Sequence, residues 1–282
     1  MNDRTRAGPW RVLRATLRVA CILVLTLSLS IVWFVGKTWN RSPERHRVWR
    51  RRIFGAWSRK TLALIGTRIT TRGAPLPGPS FLVSNHHGWH DILAFAAEVD
   101  CVFVSMGEIR SWPLIGRMAR AFDTILIDRS ERREIPRVNS EIAAALERGE
   151  RVCFFPESRT TSGARVEHFH SALFENAALS GMPVGWATVR FRTGAMDDPP
   201  AQVVAWAARP FKQYLRGILL ADRVEIEIVF GEGELRGSDR KTLALEAEQR
   251  VRTLFVPLEG SERAAQKASE TALRPPRVVR RS

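Results

Sequence analysis

The sequence predicts an α/β fold: a central, largely parallel sheet flanked by helices, with an N-terminal membrane-associated helical segment. Three observations lead there. From Ser80 onward, short apolar runs alternate with helical patterns, the signature of strands joined by helical crossovers. Several of those runs are followed at once by a polar cluster, as at the carboxyl ends of strands in open α/β sheets. Before them, from Val19 to Gly36, no residue is charged.

That uncharged stretch, "RVACILVLTLSLSIVWFVGK" with its flanks, would be about 27 Å long as a helix, against a hydrocarbon core of roughly 30 Å. Trp33 is placed as an interfacial aromatic. A cleaved signal peptide is the alternative, but the basic lead-in through Arg18 is long and no small-x-small cleavage site follows. Basic residues flank both ends: Arg4 to Arg18 on one side, Lys37 to Arg52 on the other. The positive-inside rule favours a membrane location with the large C-terminal part cytoplasmic. A helical hairpin dipping into one leaflet satisfies the same flanks.

"HRVWRRRIFGAWSRKTLALIG", His46 to Gly66, mixes Trp49, Ile53, Trp57 and Leu62 with arginines. It reads equally as a basic amphipathic helix on a membrane surface or as a domain helix with a solvated basic face. The next runs are "FLVS" (81–84), "CVFVS" (101–105), "TILI" (124–127), "VCFF" (152–155), "PVGWATVRF" (183–191) and "VEIEIVF" (224–230). Between two of them Ile135, Val138, Ile142, Ala145 and Leu146 recur at helical spacing, and Gly149 is placed to end that helix. The end, "LRPPRVVRRS", is basic and proline-bearing, and predicts disorder. The organisation predicted is an anchor with a basic helix (1–66), one domain (67–260) and a basic tail (261–282).

The net charge of +15 points to an anionic partner, either nucleic acid or a lipid surface. No RNP, KH or finger signature accompanies it, so the membrane reading is kept and no nucleic acid is expected. Cys21, Cys101 and Cys153 are widely spaced, without CxxC. They imply neither a disulfide framework nor zinc.

"NHHGWHD", Asn85 to Asp91, carries the densest chemistry. A metal reading would take His86 and His90 at i, i+4 with Asp91, and further ligands from His46, His168 or His170. HExxH is absent, and a metal-dependent lipid hydrolase stays a distant alternative. A base with an orienting carboxylate is the other reading. Residues five apart on a helix are about 140° out of register, so His86 meets Asp91 only if the chain bends, as Gly88 permits. His87 meets Asp91 by helical spacing instead. The residues leave both pairings open.

"NHHGWHD" resembles the Asn-His-four-residues-Asp motif of the glycerolipid acyltransferases, typified by the lysophosphatidic acid acyltransferases. Three more segments follow in that family's order. "EIRSWPLIGRMARAFDTILIDR" (108–129) resembles its second block, "FFPESRTTSG" (154–163) its third and "GMPVGWATV" (181–189) its fourth. The resemblance implies an O-acyltransferase that moves a fatty acyl chain from acyl-CoA or acyl carrier protein to a lysolipid hydroxyl. The thioester would be a co-substrate, with no cofactor and no metal. It implies His86 as general base, Asp91 as its orienting partner, and Glu157, Arg129, Arg159 and Thr160 as substrate contacts. Lysophosphatidic acid, giving phosphatidic acid, is the acceptor it implies first; another lysolipid such as lyso-ornithine lipid is the alternative. Three departures bear on the acceptor. Ser158 and Arg159 replace Gly-Thr in the third block. Met106 and Gly107 stand where a lysine often precedes Glu108, and Trp186 replaces a second proline.

Overall fold

The computed structural model describes residues 8–40, 42–112, 115–128, 133–207 and 209–262. Seven strands form one sheet in the order β1-β7-β6-β2-β5-β3-β4. They are β1 (Thr67–Arg72), β2 (Ser80–Ser84), β3 (Val102–Met106), β4 (Ile125–Ile127), β5 (Arg151–Phe154), β6 (Val184–Thr193) and β7 (Val224–Phe230). β6, β2, β5, β3 and β4 run parallel; β7 runs antiparallel to β6, and β1 parallel to β7. The sheet is therefore mostly parallel, and its strands carry the near-continuous apolar runs that burial on both faces demands. β1 went unread in the sequence because "TRITTR" is a polar edge strand with little to bury.

Helices cover both faces. On one lie α1 (Pro9–Trp39), α2 (Pro43–Leu64), α3 (Trp89–Glu98), α7 (Pro200–Val203) and α8 (Phe211–Leu220). Their core includes Trp57, Leu62, Leu93 and Phe95 against Leu82, Val189 and Ile226. On the other lie α5 (Glu134–Glu147), α6 (Glu175–Ser180) and α9 (Arg240–Leu254), around Phe81, Val83, Phe154, Ile142 and Val251. A short α4 (Ile115–Ala121) leads into β4. Val138, Ile142, Ala145 and Leu146 are the buried stripe of α5, and Gly149 (φ 76°) turns the chain into β5. Cys101 and Cys153 are buried free thiols.

α1 and α2 form an antiparallel hairpin against the first face. Arg18 near the start of α1 donates to the carbonyls of Leu219 (2.8 Å) and Ala221 (2.6 Å) at the end of α8. Thr26 accepts from the Trp57 indole of α2 (3.0 Å). α2 buries Ile53, Trp57, Thr61 and Leu62 against the domain and leaves Arg51, Arg52 and Lys60 outside. Trp33 is a correction. It is 4% exposed and edge-on to Phe122 (5.7 Å) and His46 (5.4 Å), because the hairpin turns this face of α1 inward. The opposite face, with Leu23, Val24, Leu27, Ile31 and Phe34, stays exposed. α1 is long and apolar enough to cross a membrane.

Candidate active site

β2 ends at Ser84 and α3 begins at Trp89; the four residues between them build the site. Asn85 locks the strand end. Its Oδ1 accepts from the Thr188 hydroxyl and the Val189 amide of β6, both at 3.0 Å. The chain then bends at Gly88, where an added Cβ would lie 2.5 Å from the Tyr214 hydroxyl and 2.8 Å from the Val204 carbonyl. The bend lets Asp91, in the first turn of α3, reach back. Its Oδ2 accepts from the His87 amide (2.6 Å), the Gly88 amide (3.0 Å) and the His86 ring at Nδ1 (2.8 Å). Both pairings left open by the sequence thus occur: His86 through its ring, His87 through its backbone.

Asp91 is fully buried. Burial alone would raise its pKa, but the His86 ring and the amides outweigh it and hold the carboxyl below the usual range. A helix N-terminus favours the same charge. An ionised carboxylate only accepts hydrogen bonds, so Nδ1 of His86 carries the proton and Nε2 presents a lone pair. The His86 ring stacks on Phe155 (4.2 Å, 12°). It retains 15% side-chain exposure.

The third block closes beneath the histidine from β5, the neighbour of β2. Glu157 accepts from the His86 amide (2.5 Å) and the Glu167 amide (2.8 Å). The His86 carbonyl accepts from the Thr161 amide (2.9 Å) and hydroxyl (3.1 Å). Glu157 is 2% exposed, and burial pushes its carboxyl up to about 8 against the pull of those two amides. The structure places Glu157 beneath His86, where its carboxyl clamps two backbone amides. Arg159 is exposed and Thr160 half-buried. Arg129 lies outside the described residues. Its block ends on β4, the outermost strand of the parallel set; among the described residues, the first and third clusters meet.

Ser158 has φ 65°, a left-handed conformation that costs an L-residue roughly 1–2 kcal/mol; this is where the family pattern has glycine. Ser158→Gly is expected to raise stability by about 0.5–1 kcal/mol after the glycine's own chain entropy is counted. A thermal melt in detergent checks this; a lowered midpoint would show that the serine side chain outweighs the strain.

The other two histidines are buried. Burial depresses His87 and His90 to about 4, although Asp91 pulls both upward. Neither ring nitrogen of His90 has a partner among the described residues, and the ring lies against Phe191 (6.1 Å). Between about pH 4 and 6.5 the unfolded chain binds protons that these rings refuse, so stability falls as the pH drops through that window. His90→Phe is expected to flatten this acid limb in melts recorded from pH 7 to 4.5. An unchanged limb would assign the acid sensitivity to other groups. Among the described residues, no three His, Cys, Asp or Glu side chains are gathered to hold a metal ion.

Thr161 and Tyr214 were not singled out from the sequence. Thr161 sat in view in "TTSG", but only the fold brings it to the His86 carbonyl. Tyr214 lies on α8, fully buried, and its hydroxyl accepts from the Trp89 amide at the start of α3 (2.8 Å). Its ring stacks on Trp206 (5.6 Å).

The chain is also similar in sequence and fold to known proteins. Residues 68–186 match the family model described as Acyltransferase. The lyso-ornithine lipid O-acyltransferase of Brucella abortus (strain 2308) is 32% identical over 257 residues, spanning 86% of this chain and 94% of its own. The chain belongs to the glycerolipid acyltransferase family. A 1-acyl-sn-glycerol-3-phosphate acyltransferase of Neisseria gonorrhoeae is 35% identical over 139 residues, 49% of this chain and 54% of its own. In fold, this acyltransferase is similar to the 1-acyl-sn-glycerophosphate acyltransferase PlsC of Thermotoga maritima. That likeness has a TM-score of 0.54 at 16% identity, covering 92% of this chain and 99% of the other.

Proposed function

We propose that this acyltransferase esterifies the free hydroxyl of a lysolipid with a fatty acyl group from acyl-CoA or acyl carrier protein, using His86 as general base. The observation that carries the proposal is the His86 Nδ1–Asp91 Oδ2 bond of 2.8 Å. It fixes the tautomer that leaves Nε2 free to accept a proton, the division of labour found in hydrolase triads. Nε2 takes the proton of the acceptor hydroxyl as its oxygen attacks the thioester carbonyl carbon. The tetrahedral intermediate collapses with cleavage of the C–S bond, and the imidazolium returns its proton to the thiolate. Asp91 stays ionised throughout and holds the ring. The nucleophile is supplied by the substrate, so no acyl-enzyme forms. Arg159, Thr160 and Arg129 are proposed as contacts for the acceptor or donor head groups.

Lyso-ornithine lipid is the acceptor we place first. The relative bearing that name aligns along nearly its whole length, whereas the lysophosphatidate relative aligns over about half. The replacement of Gly-Thr by Ser158-Arg159 in the third block accords with that choice. Lysophosphatidic acid is the second reading, supported by the order of the four blocks. The exposed apolar face of α1 supports attachment to a membrane, and the basic flanks support a cytoplasmic catalytic domain.

The test is thiol release from acyl-CoA by purified protein in mixed micelles with a panel of lysolipids, and His86→Ala as control. Release that requires lyso-ornithine lipid and His86 is expected. Release only with lysophosphatidic acid would move the acceptor and keep the mechanism. Full activity in His86→Ala would overturn the mechanism. Activity abolished by EDTA and restored by zinc would favour a metal-dependent hydrolase.

A further inference from the structure

The elbow between α1 and α2 encloses a second candidate site, at the other end of the sheet from His86. Glu150 precedes β5 and Glu157 lies in the turn that follows it, so the four-residue strand, roughly 13 Å long, separates them. Glu157 lies under His86; Glu150 lies in the wall of a cavity of about 340 Å³. That volume is at the lower end of the roughly 300–1,000 Å³ usual for small-ligand sites.

Lys37, Arg47, Arg50 and Arg148 contribute four cations to the lining, and Asp123 and Glu150 two anions. The anions are already engaged. Arg50 bridges them, with Nη1 2.8 Å from Asp123, and Arg148 donates to Glu150 (2.8 Å). Arg47 donates only to backbone carbonyls, at Gly149 (2.9 Å) and Arg148 (3.4 Å). Its buried Nε has no acceptor. Lys37 has no carboxylate partner within the cavity. Among the described residues, two positive charges at the elbow, Lys37 and Arg47, therefore remain without a carboxylate.

The surroundings decide what kind of anion. The exposed apolar face of α1 runs up to the mouth of the cavity: Ile31, Phe34, Val35 and Trp39 are all more than half exposed, and Lys37 lies among them in sequence. A hydrophobic track ending at a tryptophan and a cationic pocket has the two halves of a phospholipid.

We propose that this cavity binds the phosphate of an anionic phospholipid, with the acyl chains lying along α1. The inference rests on the membrane attachment proposed above for α1. The lipid is bound and not consumed, since the cavity and His86 lie at opposite ends of β5. Its chemical effect is to hold the α1–α2 hairpin at the bilayer surface.

The experiment is native mass spectrometry of the full chain in detergent, titrated with phosphatidylglycerol or phosphatidylcholine. Wild type is expected to retain one phosphatidylglycerol at least 10-fold more tightly than phosphatidylcholine. K37Q/R47Q is expected to lose that preference. R68Q/R72Q, which removes the same charge from exposed positions on β1, is expected to keep it. Equal losses in both variants would mean non-specific surface charge and overturn the site. Displacement of the lipid by equimolar inorganic phosphate would overturn the lipid assignment in favour of a free-anion site. A circular dichroism melt of each variant confirms that it is folded. The readout needs no turnover, so failure of acyl transfer would sink the proposed function and leave this result standing, and the reverse also holds.

Discussion

Asp91→Asn is expected to lower kcat for acyl transfer by about 10²-fold or more, by analogy with the corresponding change in a hydrolase triad. The reason is charge. Asp91 Oδ2 accepts three hydrogen bonds, from the His86 ring and from two amides. An asparagine oxygen in the same place can still accept all three, so the bend at Gly88 survives, and its NH2 falls where Oδ1 lies buried without a partner among the described residues. The ring is held in place, but the negative charge that stabilises the imidazolium formed as Nε2 takes the acceptor's proton is gone. KM for acyl-CoA should change little, because no donor contact is touched. Steady-state kinetics with a thiol reagent check this, beside a melt showing a folded protein. A near-normal kcat would mean that the imidazolium does not depend on the charge of Asp91.

Arg50→Met is expected to produce the largest loss of stability, about 3 kcal/mol, from the lower end of the range for breaking one side of a buried ion pair. The Arg50 side chain is 4% exposed and Glu150 3%, so the carboxylate cannot turn to water when its partner goes. Arg148 remains on Glu150 and places the loss at the lower end. Asp123 is 40% exposed and adds little, as surface pairs do. Urea titration in micelles measures the effect. Glu150→Gln added to Arg50→Met should recover most of it, since the penalty comes from the orphaned charge. A single variant within about 0.5 kcal/mol of wild type, the usual range for surface changes, would show that the pair does not stabilise the fold. The strands and α2 would then be joined mainly by the apolar packing of Trp57 and Leu62 against Leu82, Val189 and Ile226.

The parallel strands and the amphipathic α5 were legible because periodicity records burial, and burial is what the sheet imposes. β2, β5 and β7 are apolar wherever a face is covered. β1 was not legible, because an edge strand with polar alternation looks like a loop. Trp33 misled for a related reason: a tryptophan near the end of an apolar helix has the same composition whether it meets lipid or the aromatic ring of Phe122. The site divided in the same way. His86 and Asp91 lie five residues apart and could be singled out together. That Asp91 holds His86 by its ring and His87 by its amide depends on one backbone bend, which pair spacing does not encode. Glu157 could be singled out as a residue of interest, but its bonds to the His86 and Glu167 amides could not, since a motif does not say which way a carboxylate points. Thr161 and Tyr214 act through hydrogen bonds across 75 and 125 residues, and no local pattern carries such a bond.

Tyr214 is the single tyrosine among 282 residues. Isotope-labelled tyrosine would therefore place one probe in the whole molecule, with its phenol oxygen on the amide that opens α3. A chemical shift from that ring would report whether the turn carrying His86 and Asp91 is intact, independently of turnover. Variants that lose activity with the resonance unmoved would be defects of chemistry, and those that shift or broaden it would be defects of architecture.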